Sequence, residues 1–362
     1  MDQTVLNFPS PALRFAVRHA AAVDYVLAEH DLSALISSPY LDQAHRPPEL
    51  TARFEATLGR ALVMAFRESP ETDSARLFLQ RVLYRINRLK LFWYDDLTAY
   101  DNEHSPYLRE VREQIESAWE DWESTQRSRH TVRAGQAVQA LIVRTQADLD
   151  PTPSEANLYF RHRADIAAYK RLLEMASLDA LVEASQLSRT LGGASNPIHA
   201  TLTRMLFEEY GGGRIERKHS TYFASMLEEL GMFTWPEAYF YRVSWQVLAG
   251  INLSFMLSER KRYFLRYIGG LLYTEISTPS TFRHFQAAAD RLGLHRDRTS
   301  YWQLHIQEDV RHGQWMLDEV AIALCERYPD NAWELVHGYD QQRHVATRAG
   351  ESVFRAALGE AA

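Results

Sequence analysis

The chain has 362 residues, with 40 Lys and Arg against 47 Asp and Glu and a formal net charge of −7. It is long enough to bury a substantial core, and it lacks the basic excess that marks a nucleic-acid partner. A single cysteine, Cys325, excludes an intrachain disulfide framework and any thiolate zinc or iron-sulfur site built by one chain.

Glycine and proline are scarce at 16 and 13, Ala, Leu, Arg and Glu are plentiful, and strand-like alternation is absent, so the expected fold class is all-α. The opening segment MDQTVLNFPSPALRF has no basic and apolar leader, and no 18-residue apolar span occurs, so neither secretion nor a membrane partner is expected and the expected compartment is the cytoplasm. Amphipathic helices are expected over 46–65, 74–95, 107–127 and 131–149. The run Asp150-Pro151-Thr152-Pro153-Ser154 then stops one helix and starts another, which divides the chain into regions 1–150 and 151–362. Further helices are expected near 157–191, 197–209, 214–231, 235–255, 258–277, 279–292 and 298–327. Leu79, Val82, Leu83, Ile86 and Leu89, with Phe92 and Trp93, give the first region an apolar face rich enough to suggest homodimer contact.

The most informative motif is HIQEDVRH. His305, Asp309 and His312 recur at i, i+4 and i+7, offsets that fall within about 60° of one helix face. Two imidazoles and a carboxylate suit Fe(II), Mn(II) or Zn(II). A solvated polar face is the competing reading, but Tyr301, Trp302, Leu304, Ile306, Trp315, Met316 and Leu317 surround the triplet with apolar bulk. A second cluster lies in FEEYGGGRIERKHSTYF, where Glu216 and His219 form Glu-x-x-His, an i, i+3 pair used by carboxylate-bridged diiron bundles and also found by chance on solvated helices. Glu209 lies seven residues before Glu216, with Gly211, Gly212 and Gly213 interrupting the face. Glu275 is the only charge between Arg266 and Arg283 and needs a cation if buried; Glu183 follows an apolar stretch, although an ion pair with Arg189 explains it equally well. Five carboxylates and three histidines exceed what a single zinc needs and match the supply of a dinuclear non-haem iron centre.

The order Glu, then Glu-Tyr-Gly with a following Glu-x-x-His, then a buried Glu, then His-x3-Asp-x2-His resembles the haem-oxygenase-like diiron oxidases and oxygenases, the iron-containing redox enzymes. The resemblance covers roughly residues 155–330. It implies a haem-oxygenase-like helical bundle over 151–362, two Fe2+ ions with O2 as co-substrate, and Glu183, Glu209, Glu216, His219, Glu275, His305, Asp309 and His312 as the metal-ligating region. Glu209 and Glu216 compete for one role, and Glu208 beside Glu209 leaves a one-residue ambiguity. The helical region ahead of the core is similar to that of the family's amine N-oxygenases of the streptozotocin and azomycin pathways, where it packs the dimer. What this implies is natural-product N-oxygenation of a small amine, guanidine or aminoheterocycle with an external electron donor. Without a cupin-type second metal domain, no subsequent rearrangement is expected. Desaturation or oxidative C–C cleavage of a fatty acid or amino acid is the alternative.

Other classes fit the residues less well. A haem oxygenase needs one proximal histidine and no converging carboxylates, and a thiaminase needs a placed cysteine, whereas Cys325 in AIALCERY reads as an inert buried thiol. A non-enzymatic iron-binding helical protein remains a third class. Tyr210, Tyr222, Tyr273, Tyr301, Trp302 and Trp315 are candidates to line a dry pocket, and Arg204, Arg214, Arg283 and Arg311 to anchor an acidic substrate group. His284, His295, His337 and His344 read as surface or structural.

Overall fold

Several helix starts are written into the chain as side-chain caps. In the computed structural model, Ser154, Asp165, Asn196 and Ser244 each accept a hydrogen bond from the backbone N–H three residues on, at 2.8–3.4 Å. The structure describes residues 23–39, 41–43, 46–66, 72–126, 132, 135–295 and 299–360, and among them there is no strand. The helices are α1 (Tyr25–Ile36), α2 (Pro48–Ala65), α3 (Thr72–Arg88), α4 (Pro106–Gln126), α5 (Ala137–Leu149), α6 (Glu155–His162), α7 (Ile166–Ala180) and the short α8 (Ser185–Ser188). They continue with α9 (Pro197–Glu209), α10 (His219–Glu229), α11 (Trp245–Glu259), α12 (Phe264–Arg291), α13 (Ser300–Trp315), α14 (Ile322–Arg327) and α15 (Trp333–Ala357). The all-α expectation holds among the described residues. No helix among the described residues is long and apolar enough to cross a membrane.

The boundaries differ from the periodicity in several places. The expected helix 157–191 is three pieces, because Asp165 caps a new start and the chain turns at 181–184. The expected pair 258–277 and 279–292 is one helix, α12, with Pro279 inside it. Proline there removes the N–H that would have bonded the Glu275 carbonyl, loosening the helix at the turn that carries that carboxylate. The expected helix over 235–255 begins only at Trp245, after Ser244 caps it. The expected helix over 298–327 is split by a π-helical turn, Met316–Ala321, immediately after the His-x3-Asp-x2-His triplet.

Helix α15 was not anticipated at all, and it makes the most extensive packing of any helix on α12. Two glycines permit this: a Cβ on Gly269 would overlap the Leu335 carbonyl, and one on Gly338 would overlap the backbone of Arg266. The two helices therefore touch backbone to backbone.

The N-terminal helices share a hydrophobic core with the rest of the chain. Leu79, Val82, Leu83, Ile86 and Leu89 are all buried within it, beside Leu253, Met256 and Ile268, so they form no free apolar face. Buried amides fasten the same junction. Asn252 Nδ2 donates to Gln80 Oε1 at 2.9 Å, and Asn87 Nδ2 donates to Asn252 Oδ1 at 3.1 Å.

Candidate metal centre

Five segments bring ionisable side chains to one place in this bundle. Helix α13 presents His305, Asp309 and His312 on one buried face, as their spacing predicts. Helix α9 ends on Glu208 and Glu209, α10 opens on His219, α12 supplies Glu275, and the turn between α7 and α8 supplies Glu183. The EYGGG segment explains the approach of His219. Gly211, Gly212 and Gly213 all have positive φ, and a Cβ on Gly211 would run into the backbone of Arg217, so only glycine lets the chain fold back tightly enough. His219 Nδ1 thereby lies 2.8 Å from Glu209 Oε2.

Three donor groups result among the described residues, and Glu209 belongs to the two buried ones: Glu183, Glu209, His219 and His305 form the first, Glu209, Asp309 and His312 the second, while Glu208, Glu308 and His312 form a third, less buried one. In the first, Glu183 Oε1 is 3.2 Å from His305 Nε2 and 3.4 Å from His219 Nδ1. In the second, His312 Nδ1 is 3.4 Å from both Glu209 Oε1 and Glu275 Oε2, and 3.9 Å from Asp309 Oδ1.

The outward atoms of the histidines are tied down. His305 Nδ1 faces the Tyr301 carbonyl at 2.9 Å, and His312 Nε2 faces Glu208 Oε2 at 2.9 Å. Each ring thus donates outward and turns its other nitrogen inward, the arrangement that orients metal-binding histidines. The inward atoms tell the same story: Glu183 Oε1, Asp309 Oδ1 and His312 Nδ1 are buried without a hydrogen-bond partner. Orphaned donor atoms of the N and O type, converging in a buried site, fit divalent iron.

Protons balance the charge in the protein as it stands. Burial lowers imidazole pKa values, but Glu183 and Glu209 hold His219 up at about 10, and Glu275, Glu209 and Glu208 hold His312 up at about 9. Burial also opposes ionisation of Glu183, yet His305 and His219 drive its pKa well below the usual carboxylate range. Asp309 moves the other way: burial first, then repulsion from Glu275, Glu209 and Glu183, pushes it far above. Such a cluster is poised to exchange protons for a cation.

The candidate residues divide unequally. Glu183, Glu209, His219, Glu275, His305, Asp309 and His312 converge; Glu216 does not. It sits exposed on the 3₁₀ turn Ile215–Arg217, one turn before α10 begins, so the helical face assumed for Glu216 and His219 is absent. Glu208 faces outward to His312 and to Arg311, at 2.7 Å, while Glu209 faces inward. Arg189 pairs with Glu259 and not with Glu183. The Glu183 partner is instead Tyr301, whose hydroxyl donates to Oε2 at 2.7 Å. Neither this contact nor the Glu208 role was visible in sequence, since both depend on which helices face each other.

A cavity of about 460 Å³ opens from the cluster and runs between α7, α11, α12 and α15. Glu183, Glu209, Glu275, His305 and Asp309 form one part of its wall, and residues such as Met175, Ile251, Leu257, Leu271 and Val345 give the rest an aliphatic character. Of the aromatic candidates only Tyr301 lines it; Tyr267 and Phe282 were missed. None of the four candidate arginines lines it. Arg204 pairs with Glu319 and covers Trp315, Arg311 pairs with Glu208, Arg283 with Asp150, and Arg214 is exposed. Cys325 is a free buried thiol, its pKa raised to about 11 by burial.

An all-α bundle thus encloses a carboxylate and histidine cluster, placed to hold metal ions, next to a cavity. Residues 170–344 match the family described as iron-containing redox enzyme, and this stretch of the chain is a domain of that family. Over 201 residues the chain is 28% identical to nitrosourea synthase of Streptomyces achromogenes subsp. streptozoticus, a similarity covering 55% of this chain and 42% of that protein. The chain thus matches less than half the length of this relative.

Proposed function

We propose that the protein is a non-haem diiron oxygenase that uses O2 to oxidise the nitrogen of a small amine, guanidine or aminoheterocycle to an N-hydroxy or nitro product. The observation that carries this reading is Glu209, one oxygen of which faces the group containing His219 and the other the group containing His312. A carboxylate shared in this way is what a pair of metal ions requires. One iron would be held by Glu183, His219 and His305, the other by Asp309, His312 and Glu275, with Glu209 between them. When bound, the two ferrous ions would supply electrons to O2.

The residues around them set the conditions. Tyr301 donates its hydroxyl proton to a hydrogen bond with Glu183 and so fixes that carboxylate. Glu208, itself held by Arg311, accepts from the outer nitrogen of His312. The aliphatic walls of the cavity keep water away from the reacting face. Inserting one oxygen atom from O2 into an N–H bond also consumes two electrons and two protons to form water, so an external electron donor belongs to this reading.

The similarity to a nitrosourea synthase supports nitrogen as the atom oxidised. The aliphatic walls favour a second reading, desaturation or C–C cleavage of a fatty acid or amino acid. Both are tested by loading the protein anaerobically with Fe(II), admitting isotopically labelled O2, and screening arginine derivatives, aminoimidazoles and fatty acids by mass spectrometry. Label on nitrogen supports the first; unlabelled alkenes or chain-shortened products support the second. Iron oxidised and retained with no organic product would leave an iron-binding protein.

A further inference from the structure

The cavity contains an acidic group that the metal cluster does not use. Asp179, near the end of α7, lies four residues before Glu183 and lines the same cavity. Asp179 is exposed where it lines the cavity, and its side chain makes no hydrogen bond or ion pair among the described residues. The surrounding protein and then the neighbouring Glu183 charge push its pKa up to about 6, and a cation beside it would offset both effects.

Nothing in the protein supplies that cation. Among the described residues, no lysine or arginine lines the cavity. Lys218, whose charge interacts with Glu183 and Glu209, is hydrogen-bonded to Ser220 at 2.9 Å, lies over the Tyr210 ring and does not line the cavity. His305 is engaged with Glu183 and the Tyr301 carbonyl. A second unanswered group stands in the same wall: Gln186 is 5% exposed, and its Nε2 is buried with no hydrogen-bond partner. Two polar side chains without protein partners, one of them charged, mark the wall as built for a ligand that is absent from the protein itself.

We infer that Asp179 and Gln186 form a recognition site for a cationic substrate, Asp179 accepting hydrogen bonds from an ammonium or guanidinium group and Gln186 contacting a neighbouring polar atom. The inference rests on the proposed oxygenase reading, and it narrows the substrate to a positively charged molecule. An alkyl carboxylate such as a fatty acid is disfavoured, because it would enter a cavity whose wall already holds the carboxylates of Asp179, Glu183 and Glu275 with no arginine to receive it. Asp179 is a specificity residue here. Asp179 is close enough to Glu183 for their charges to interact, so a nitrogen bound to it would sit at the end of the cavity that carries the cluster.

The test is a binding measurement made without O2, so that it stands apart from whichever oxidation follows. The protein is loaded anaerobically with Fe(II) and titrated calorimetrically with n-butylguanidinium and, separately, with pentanoate. The wild type should bind the cation at least tenfold more tightly than the anion. Asp179→Asn should lose at least tenfold of the cation affinity with iron content unchanged, and Asp179→Glu should recover part of it. Equal affinities, a preference for pentanoate, no measurable cation binding, or an unaltered constant in D179N overturns the assignment. If D179N fails to fold, the charge preference of the wild type and the behaviour of D179E still decide. Cation selectivity with carbon-oxidised products would leave this site standing and remove the N-oxygenase reading; N-oxidised products with an unaltered D179N would do the reverse.

Discussion

Glu209 holds its Oε2 2.8 Å from Nδ1 of His219, a contact that joins the last residue of α9 to the first of α10 across three left-handed glycines. Its other oxygen lies 3.4 Å from Nδ1 of His312 on α13. One side chain therefore couples two donor groups, and its loss should be felt by both. Glu209→Gln preserves the shape but removes the charge and one acceptor. The expected outcome is a fall from about two irons per chain to one or none after anaerobic loading and desalting, with helical circular dichroism unchanged. Two irons retained in the variant would show that Glu209 is not shared.

The neighbouring acid makes a contrasting prediction. Glu208 touches the outer nitrogen of His312 and the Arg311 guanidinium, so it orients a donor without facing the cluster. Glu208→Gln should leave the iron count intact while weakening affinity by roughly 10- to 100-fold, the usual effect of losing an orienting partner. Glu216→Gln, at an exposed position, should change neither. Competition with a calibrated chelator measures all three variants, and a loss of iron in the Glu216 variant alone would reverse the assignment.

The difference between Glu209 and Glu216 shows where the sequence stops being informative. The i, i+4, i+7 spacing of His305, Asp309 and His312 is a property of one helix, and it was legible because α13 is regular over all three. The Glu-x-x-His pair looked equally regular, but its helix begins at His219, and the three glycines before it take the backbone through left-handed conformations that no periodicity records. Glu183 and Glu275 stood out as charges in apolar surroundings, a signal of burial and not of partner. Tyr301 on Glu183, Glu208 on His312 and Asp179 in the cavity depend on inter-helix geometry and left no local trace. Helix α15 was missed for a related reason: its packing against α12 rests on glycines, which local propensity counts against a helix.

That helix contact yields a stability prediction. A methyl group on Gly338 would collide with the backbone of Arg266, where no rotamer change can relieve it, and Gly269 stands in the same relation to Leu335. Gly338→Ala should destabilise the protein by at least about 2 kcal/mol, despite the better helix propensity of alanine. Gly350 on the same helix has open space where its Cβ would be. Gly350→Ala should therefore be neutral or stabilising by about 0.5–1 kcal/mol. Denaturant unfolding of the pair separates close approach from propensity, and equal effects at the two positions would contradict the packing argument.

The charge balance of the cluster predicts a pH response that metal should abolish. In the metal-free protein His219 and His312 titrate at about 10 and about 9, against a usual value of 6.5. Raised pKa values mean that the folded state prefers the protonated rings, so their contribution is fully present below about pH 6.5 and is lost as the pH rises through 9 to 10. Asp309, pushed up by burial and by Glu275, adds a term of the same sign. Glu183 has the opposite sign: its pKa is depressed, and its contribution is lost only as the pH falls below the ordinary carboxylate value. Between pH 7 and 10 the first three groups dominate, so the melting temperature of the metal-free protein should drop by several degrees. A bound divalent ion replaces the protons as the source of positive charge, and the loaded protein should hold its melting temperature over the same range. Binding should also expel protons, about two or more per chain at pH 7.5, which calorimetric titration in two buffers of different ionisation enthalpy measures directly. Metal uptake without proton release, or an alkaline loss of stability as large in the loaded protein as in the metal-free one, would mean that these histidines are not the groups that receive the metal.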